Sequence, residues 1–167
     1  RAGCGTVMMV VAACFAGSAW AADISARVEL DKTVTKFVGA AYVSTFEPVQ
    51  VALVIQNDSD TKRNIALKPK YRLQFKKVSP LQPYVDSSNI VAIGSLNSIY
   101  PDMKLTLTLQ PHTKMVIAFA EIPGPGFNFT TYKGYSFPAT YVVQVELPGG
   151  LPNTDTGAMT EAMLVVK

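Results

Sequence analysis

Beyond Cys14 the chain has no cysteine, and its single histidine and single tryptophan are His112 and Trp20. Without thiols, the stretch from Phe15 to Lys167 can form no disulfide, thiolate nucleophile or cysteine metal site. A histidine-dependent triad would need His112 beside a serine and an acid, and no G-x-S-x-G sequence accompanies it. His112 stands in a proline turn, QPH, where an exposed side chain is the plain expectation. Glu47, Glu121 and Glu146 are the carboxylates a glycosidase-type pair would draw on, but they fall singly at strand ends. No apolar stripe of helical period follows residue 22, which excludes a helix bundle. Acidic residues are missing altogether from 61 to 85. The chain therefore reads as a non-enzyme that needs no cofactor.

What the chain has is apolar content: 49% of its 167 residues are hydrophobic and 16% charged, a core-forming balance rather than a disordered one. Part of this content is local. The first 21 residues, RAGCGTVMMVVAACFAGSAWA, combine an Arg, an apolar run from Val7 to Ala16 and a small-residue end at Ala19-Trp20-Ala21. This is the layout of a secretory signal peptide with an A-x-A cleavage site. The run is too short for the roughly 20 apolar residues of a spanning helix. Val11-Ala12-Ala13-Cys14 resembles a lipoprotein box, but the better cleavage site follows it, so cutting after Ala21 is expected. Residues 1–21 are thus assigned as signal and 22–167 as one domain. That domain has no cysteine and a net charge of +2 (14 basic minus 12 acidic residues). Export without cysteine points to a bacterial periplasmic or surface protein.

Alternation of period two dominates the rest. Ile24, Ala26, Val28 and Leu30 alternate with polar neighbours, as do Met103, Leu105, Leu107 and Leu109, and Tyr141, Val143, Val145 and Leu147. Val49, Val51, Leu53 and Ile55 alternate too, yet Ala52 and Val54 make that segment apolar on both faces, as a central strand would be. YRLQFKKV, Met115–Ile122 and Met163–Val166 complete the set, with turn signals at NDSD, SPLQP, YPD, QPH and PGGLPNTDTG. The prediction is all-β: an antiparallel immunoglobulin-like β-sandwich of about 7–9 strands.

The order FEPVQVALVIQNDSD, a basic strand, LTLQPHTKMVI, ATYVVQVEL and a final strand resembles exported immunoglobulin-like domains. In layout it is similar to the BsuPI-type proteinase-inhibitor domain of bacilli, and to β-sandwich pro-regions of some secreted metalloendopeptidases. The resemblance runs from about Ala26 to Lys167. It departs at Pro138-Ala139-Thr140-Tyr141, where the pattern puts glycine, and in a long insertion over 79–100. It implies a sandwich fold and an exported binding module, inhibitor or protease-associated, whose partner is another protein.

Two stretches carry recognition chemistry. Lys68, Lys70, Arg72 and Lys76 fall on one face of a strand, within a run holding seven of the fifteen basic residues (Lys62, Arg63, Lys68, Lys70, Arg72, Lys76 and Lys77). Such a stripe either guards an edge strand from pairing or meets an acidic protein or anionic envelope component. Nucleic acid is not an expected partner for an exported domain of this charge. The second stretch is GPGFNFTTYKGYSFP, with Phe127, Phe129, Tyr132, Lys133 and Tyr135 as candidate partner-binding residues. Its rings either fold back over one end of the sandwich or form an exposed aromatic patch. Met103, His112 and Met115 could hold a soft metal and Asn57-Asp58-Ser59-Asp60 a calcium ion; core packing and a hairpin turn, respectively, are the simpler expectations. Alternatives to the binding module are a self-associating subunit of a surface filament or envelope assembly, and a small-ligand or metal carrier.

Overall fold

The structure, a computed structural model, describes residues 23–40, 43–79, 89–100, 106–125, 127–129, 138–149, 151 and 157–167. The signal segment lies outside them, as do Met103, Tyr132, Lys133 and Tyr135. Thirteen strands and no helix occur among the described residues: β1 (Ile24–Leu30), β2 (Val34–Thr35), β3 (Phe37–Ala40), β4 (Val43–Phe46), β5 (Val49–Asn57), β6 (Arg63–Ala66), β7 (Lys70–Ser79), β8 (Ile90–Ser98), β9 (Thr106–Leu109), β10 (Thr113–Ile122), β11 (Asn128–Phe129), β12 (Ala139–Glu146) and β13 (Met159–Val166). The seven segments of alternating or continuous apolar sequence all contain strands. Six further strands do not stand out by alternation: β2, β3, β4, β6, β8 and β11.

The main sheet runs β1-β5-β10-β8-β7-β12-β13-β2, with β11 added to β8, and β3-β4 and β6-β9 form two-stranded sheets. All pairs are antiparallel except β13 with β2. Two wings are evident. β1, β5 and β10 pair along their lengths, as do β8, β7, β12 and β13. Strand pairing joins them where Ala118 and Phe119 of β10 meet Ser98 and Asn97 of β8. At the opposite side β1 returns to β13, and the Val28 N–H donates to Thr160 Oγ1 at 3.3 Å. The sheet is therefore curled on itself, with a core between its wings.

Why β5 is central follows from its side chains. Val49, Val51, Leu53 and Ile55 face the core, while Val54, on the other face, is only 1% exposed between its cross-strand neighbours Arg27 and Val116. At the far end of β5, Asn57 is fully buried and bonds the backbone of the following turn and of the β9–β10 connection. NDSD is thus a hydrogen-bonded turn, as its short polar side chains predict. His112 is exposed in the β9–β10 turn, with a backbone φ of 52° and its Nε2 2.7 Å from Asp60 Oδ1.

The core centres on Phe75 of β7, whose ring stacks on Tyr141 at 4.3 Å and on Phe46 at 5.6 Å between centroids. Phe127 meets it edge-on at 5.7 Å.

Candidate functional site

β7 lies between β8 and β12, so its basic residues do not guard a sheet edge. Tyr71, Leu73 and Phe75 point into the core, which leaves Lys70, Arg72, Gln74 and Lys76 on the outer face of the β8-β7-β12-β13 wing. The strand registers fix the neighbours of this column. Lys76 lies level with Ile90 on one side and Val142 then Met163 on the other. Gln74 lies level with Ile93, Gln144 and Glu161. Arg72 lies level with Ser95, and Lys70 with Asn97.

The polar members of this face are ordered. Tyr71, buried beneath it, accepts a hydrogen bond at its hydroxyl from the Lys68 N–H at 3.1 Å, which fixes the approach to β7. Burial pushes the Tyr71 phenol above its ordinary pKa. Lys68 Nζ in turn lies 2.5 Å from Glu146 Oε1, and the Arg72 N–H donates to Glu146 Oε2 at 3.4 Å. The Lys68 bond, with smaller help from Arg72, holds the Glu146 carboxyl below the usual range. Gln144 donates to Glu161 at 3.0 Å, and the Gln74 amide turns its oxygen to the Arg72 guanidinium. Lys70 and Lys76 form no ion pair among the described residues.

Apolar groups share the face. Ile93 is 48% and Met163 51% exposed, and Val34 and Val78 are also open to solvent. A solvated face of an antiparallel sheet normally carries polar side chains at these positions. At the Lys76 end an open cleft of about 280 Å³ is lined by Lys76, Lys77, Val78 and Asn89 with Val142, Gln144 and Glu161.

Lys76 and Lys77 both border this cleft, beside irregularities in the pairing of β7. Its register slips between Phe75 and Lys76 against β8, and between Lys77 and Ser79 against β12. Lys77 is 1% exposed, and burial lowers its ammonium pKa below the ordinary 10.5. The unfolded chain therefore binds more protons at this site than the folded one between the lowered value and 10.5. The burial penalty is full below the folded pKa and vanishes above the unfolded one. Urea denaturation of wild type and Lys77→Met across this window should show wild type gaining stability relative to the variant as pH rises; a flat or falling difference would contradict the assignment.

The opposite face, on β1, β5 and β10, contrasts with this one. Glu29 bonds both Arg27 Nε and Lys114 Nζ at 2.8 Å, and those bonds, Lys114 first, depress its pKa. Gln50 bonds Glu121 at 2.6 Å. Val116 and Phe119 are exposed there, but these charges are tied to partners within the same face.

The structure thus gathers Lys70, Arg72 and Lys76 on one surface and sets Lys68 at its rim. It does not join the aromatic stretch to them as an exposed patch at Phe127, whose ring is buried against Phe75. The backbone of Phe129 pairs with Ala92 of β8. Tyr132, Lys133 and Tyr135 lie outside the described residues. Ile93, Val142 and Met163 went unnoticed in the sequence; the signal was present in Ile90-Val91-Ala92-Ile93 and Val142-Val143, runs apolar on both strand faces.

No family model matches the chain, and no curated protein matches it either. Among solved structures it is similar to a β-glucosidase from Erythrobacter marinus, with a TM-score of 0.40 and 12% identity over 86% of this chain. The match spans 15% of that protein's length. No helix among the described residues is long and apolar enough to cross a membrane.

Proposed function

We propose that this chain is an exported, non-catalytic binding module with an immunoglobulin-like sandwich fold, and that it engages another protein through the outer face of the β8-β7-β12-β13 wing. The observation carrying the proposal is that Ile93 and Met163, both about half exposed, stand on that face beside lysines without ion pairs among the described residues. Exposed apolar side chains with a polar surround are the usual marks of an interaction surface. Support for the fold comes from strand order. β1-β5-β10 and β8-β7-β12-β13 match the A-B-E and C′-C-F-G groups of immunoglobulin-like sandwiches in sequence order as well as in pairing. Support for export comes from residues 1–21.

A photo-reactive residue placed at Ile93 or at Met163 of the full chain, in its own cells, should yield a covalent adduct with another protein. The same residue at Phe119, exposed on the other wing, should not. Adducts at position 119 alone, or at none of the three, would overturn the proposal. The narrower form, proteinase inhibition, rests on the layout resemblance. Titration of the full chain against serine, cysteine, aspartic and metallo-proteinases tests it, and loss of activity in one class is the supporting result.

A further inference from the structure

The face that binds has a definite chemistry. Among the described residues its basic members are Lys68, Lys70, Arg72 and Lys76, and its acidic members Glu146 and Glu161, a balance of four minus two, or +2. Both acids are already engaged, Glu146 by Lys68 and Glu161 by Gln144. The charge left for a partner is therefore positive and lies along β7. On one strand face, alternate residues are spaced by about 6.8 Å. Lys70, Arg72 and Lys76 thus form a column at multiples of that spacing, interrupted by Gln74. The column is flanked on one side by Ile90 and Ile93 and on the other by Val142 and Met163.

From this we infer that the occupant of the face is a protein segment in extended conformation that turns both carboxylates and aliphatic groups, at every second position, toward this face. On one side of an extended segment the side chains, at every second position, repeat at the same spacing as β7, so carboxylates at some of these positions can meet the basic column while aliphatic groups at others reach Ile93 and Met163 beside it. The cleft at the Lys76 end has room for a partner side chain beside Val78 and Val142. A second copy of this chain is the poorer occupant, because it would bring a face of the same positive charge. The inference rests on the reading of this face as the binding surface.

The test uses the full chain and defined fluorescent peptides read by anisotropy. One peptide carries Glu and an aliphatic residue, Val or Leu, in turn at every second position with Ser between them, a second replaces Glu by Lys, and a third replaces the aliphatic residues by Ser. Only the first should bind, and its affinity should fall at least about tenfold between about 0.05 and 0.5 M salt. Lys70→Glu combined with Lys76→Glu should weaken it by a similar factor without changing the thermal midpoint, since both side chains are solvent-facing. Equal binding of the serine peptide would reduce the site to a simple anion surface and overturn the inference. So would binding of none of the peptides, stronger capture by phosphatidylglycerol vesicles, or a dimer at micromolar concentration broken by Met163→Asp. If the peptides fail while cross-linking at Ile93 still yields a protein, the face stands and only the partner's chemistry falls.

Discussion

Phe75→Ala is expected to lower the unfolding free energy by about 4 kcal/mol, enough to leave much of the chain unfolded at 37 °C. Phe75 is fully buried on a strand interior to the sheet and touches rings from three other parts of the chain: Phe46 of β4, Tyr141 of β12 and Phe127, just before β11. Truncation removes the transfer energy of the ring and leaves a cavity that β-sheet backbone cannot collapse to fill. The face-on contact with Tyr141 and the edge-on contact with Phe127 add pair terms of about 0.5–1.5 kcal/mol each. Phe75→Leu keeps most of the hydrocarbon and should cost roughly half as much. Ile93→Ala, on the exposed outer face, should stay within about 0.5 kcal/mol. Urea midpoints at neutral pH check this order. A loss below that of Ile93→Ala would mean that the four rings do not form the centre of the core.

The same cluster decides part of what GPGFNFTTYKGYSFP does. Phe127→Ala should destabilise the fold measurably, because its ring, 9% exposed, lies against Phe75. A variant that bound less without losing stability would instead place that ring at a partner. Glycine at 124 has a local reason as well. A β-carbon there would come within 2.5 Å of the Glu121 carbonyl oxygen, so the chain can turn back after β10 only without a side chain.

Strands whose faces differ in polarity were legible in the sequence, since burial on one face writes period two into it. That is why β1, β5 and β12 match their alternating runs, and why the doubly apolar β5 and β10 occupy interior places. β8 was hidden for the opposite reason. Ile90 to Ile93 is apolar at every position because Val91 and Ala92 are buried while Ile93 faces outward, so no alternation marks it. β2, β3, β4 and β6 span two to four residues each, too few for a period to be seen. The basic stripe was readable as residues sharing a face, but not its surroundings. Whether β7 was an edge strand depended on β8 pairing with it over Lys70–Lys76, a contact set by the fold and not by either segment alone. Lys77 shows the limit of alternation. It continues the inward series Tyr71, Leu73 and Phe75, and a lysine in that place reads as surface until the structure shows it buried.

Asn57→Ala should cost about 3 kcal/mol, the second-largest effect expected, although the residue touches no part of the proposed binding face. Its amide is fully buried at the end of β5. Nδ2 donates to the Thr61 carbonyl at 2.9 Å, the Gln110 carbonyl at 3.0 Å and, more weakly, the Leu109 carbonyl at 3.4 Å. Oδ1 accepts from the Ser59 N–H at 3.1 Å and the Ser59 hydroxyl at 2.7 Å. One side chain therefore ties the turn after β5 to the β9–β10 connection, and its removal breaks the part-buried bonds to Thr61, Gln110 and Ser59 and strands the carbonyl of buried Leu109. Asn57→Asp separates this account from simple loss of volume, because it is nearly isosteric. At neutral pH its carboxylate would face three carbonyl oxygens in a buried site, so it should be at least as damaging as alanine. Burial and those carbonyls raise the pKa of the introduced acid above its unfolded value of about 3.9. The folded variant then binds more protons than the unfolded chain between the two values, and its deficit should shrink as pH falls through the raised pKa toward 3.9. Denaturation of wild type, Asn57→Ala and Asn57→Asp from pH 7 to pH 4 would reveal this. Recovery of the aspartate variant relative to alanine is the expected result, and parallel curves for the two would mean that Asn57 contributes its volume and not its hydrogen bonds.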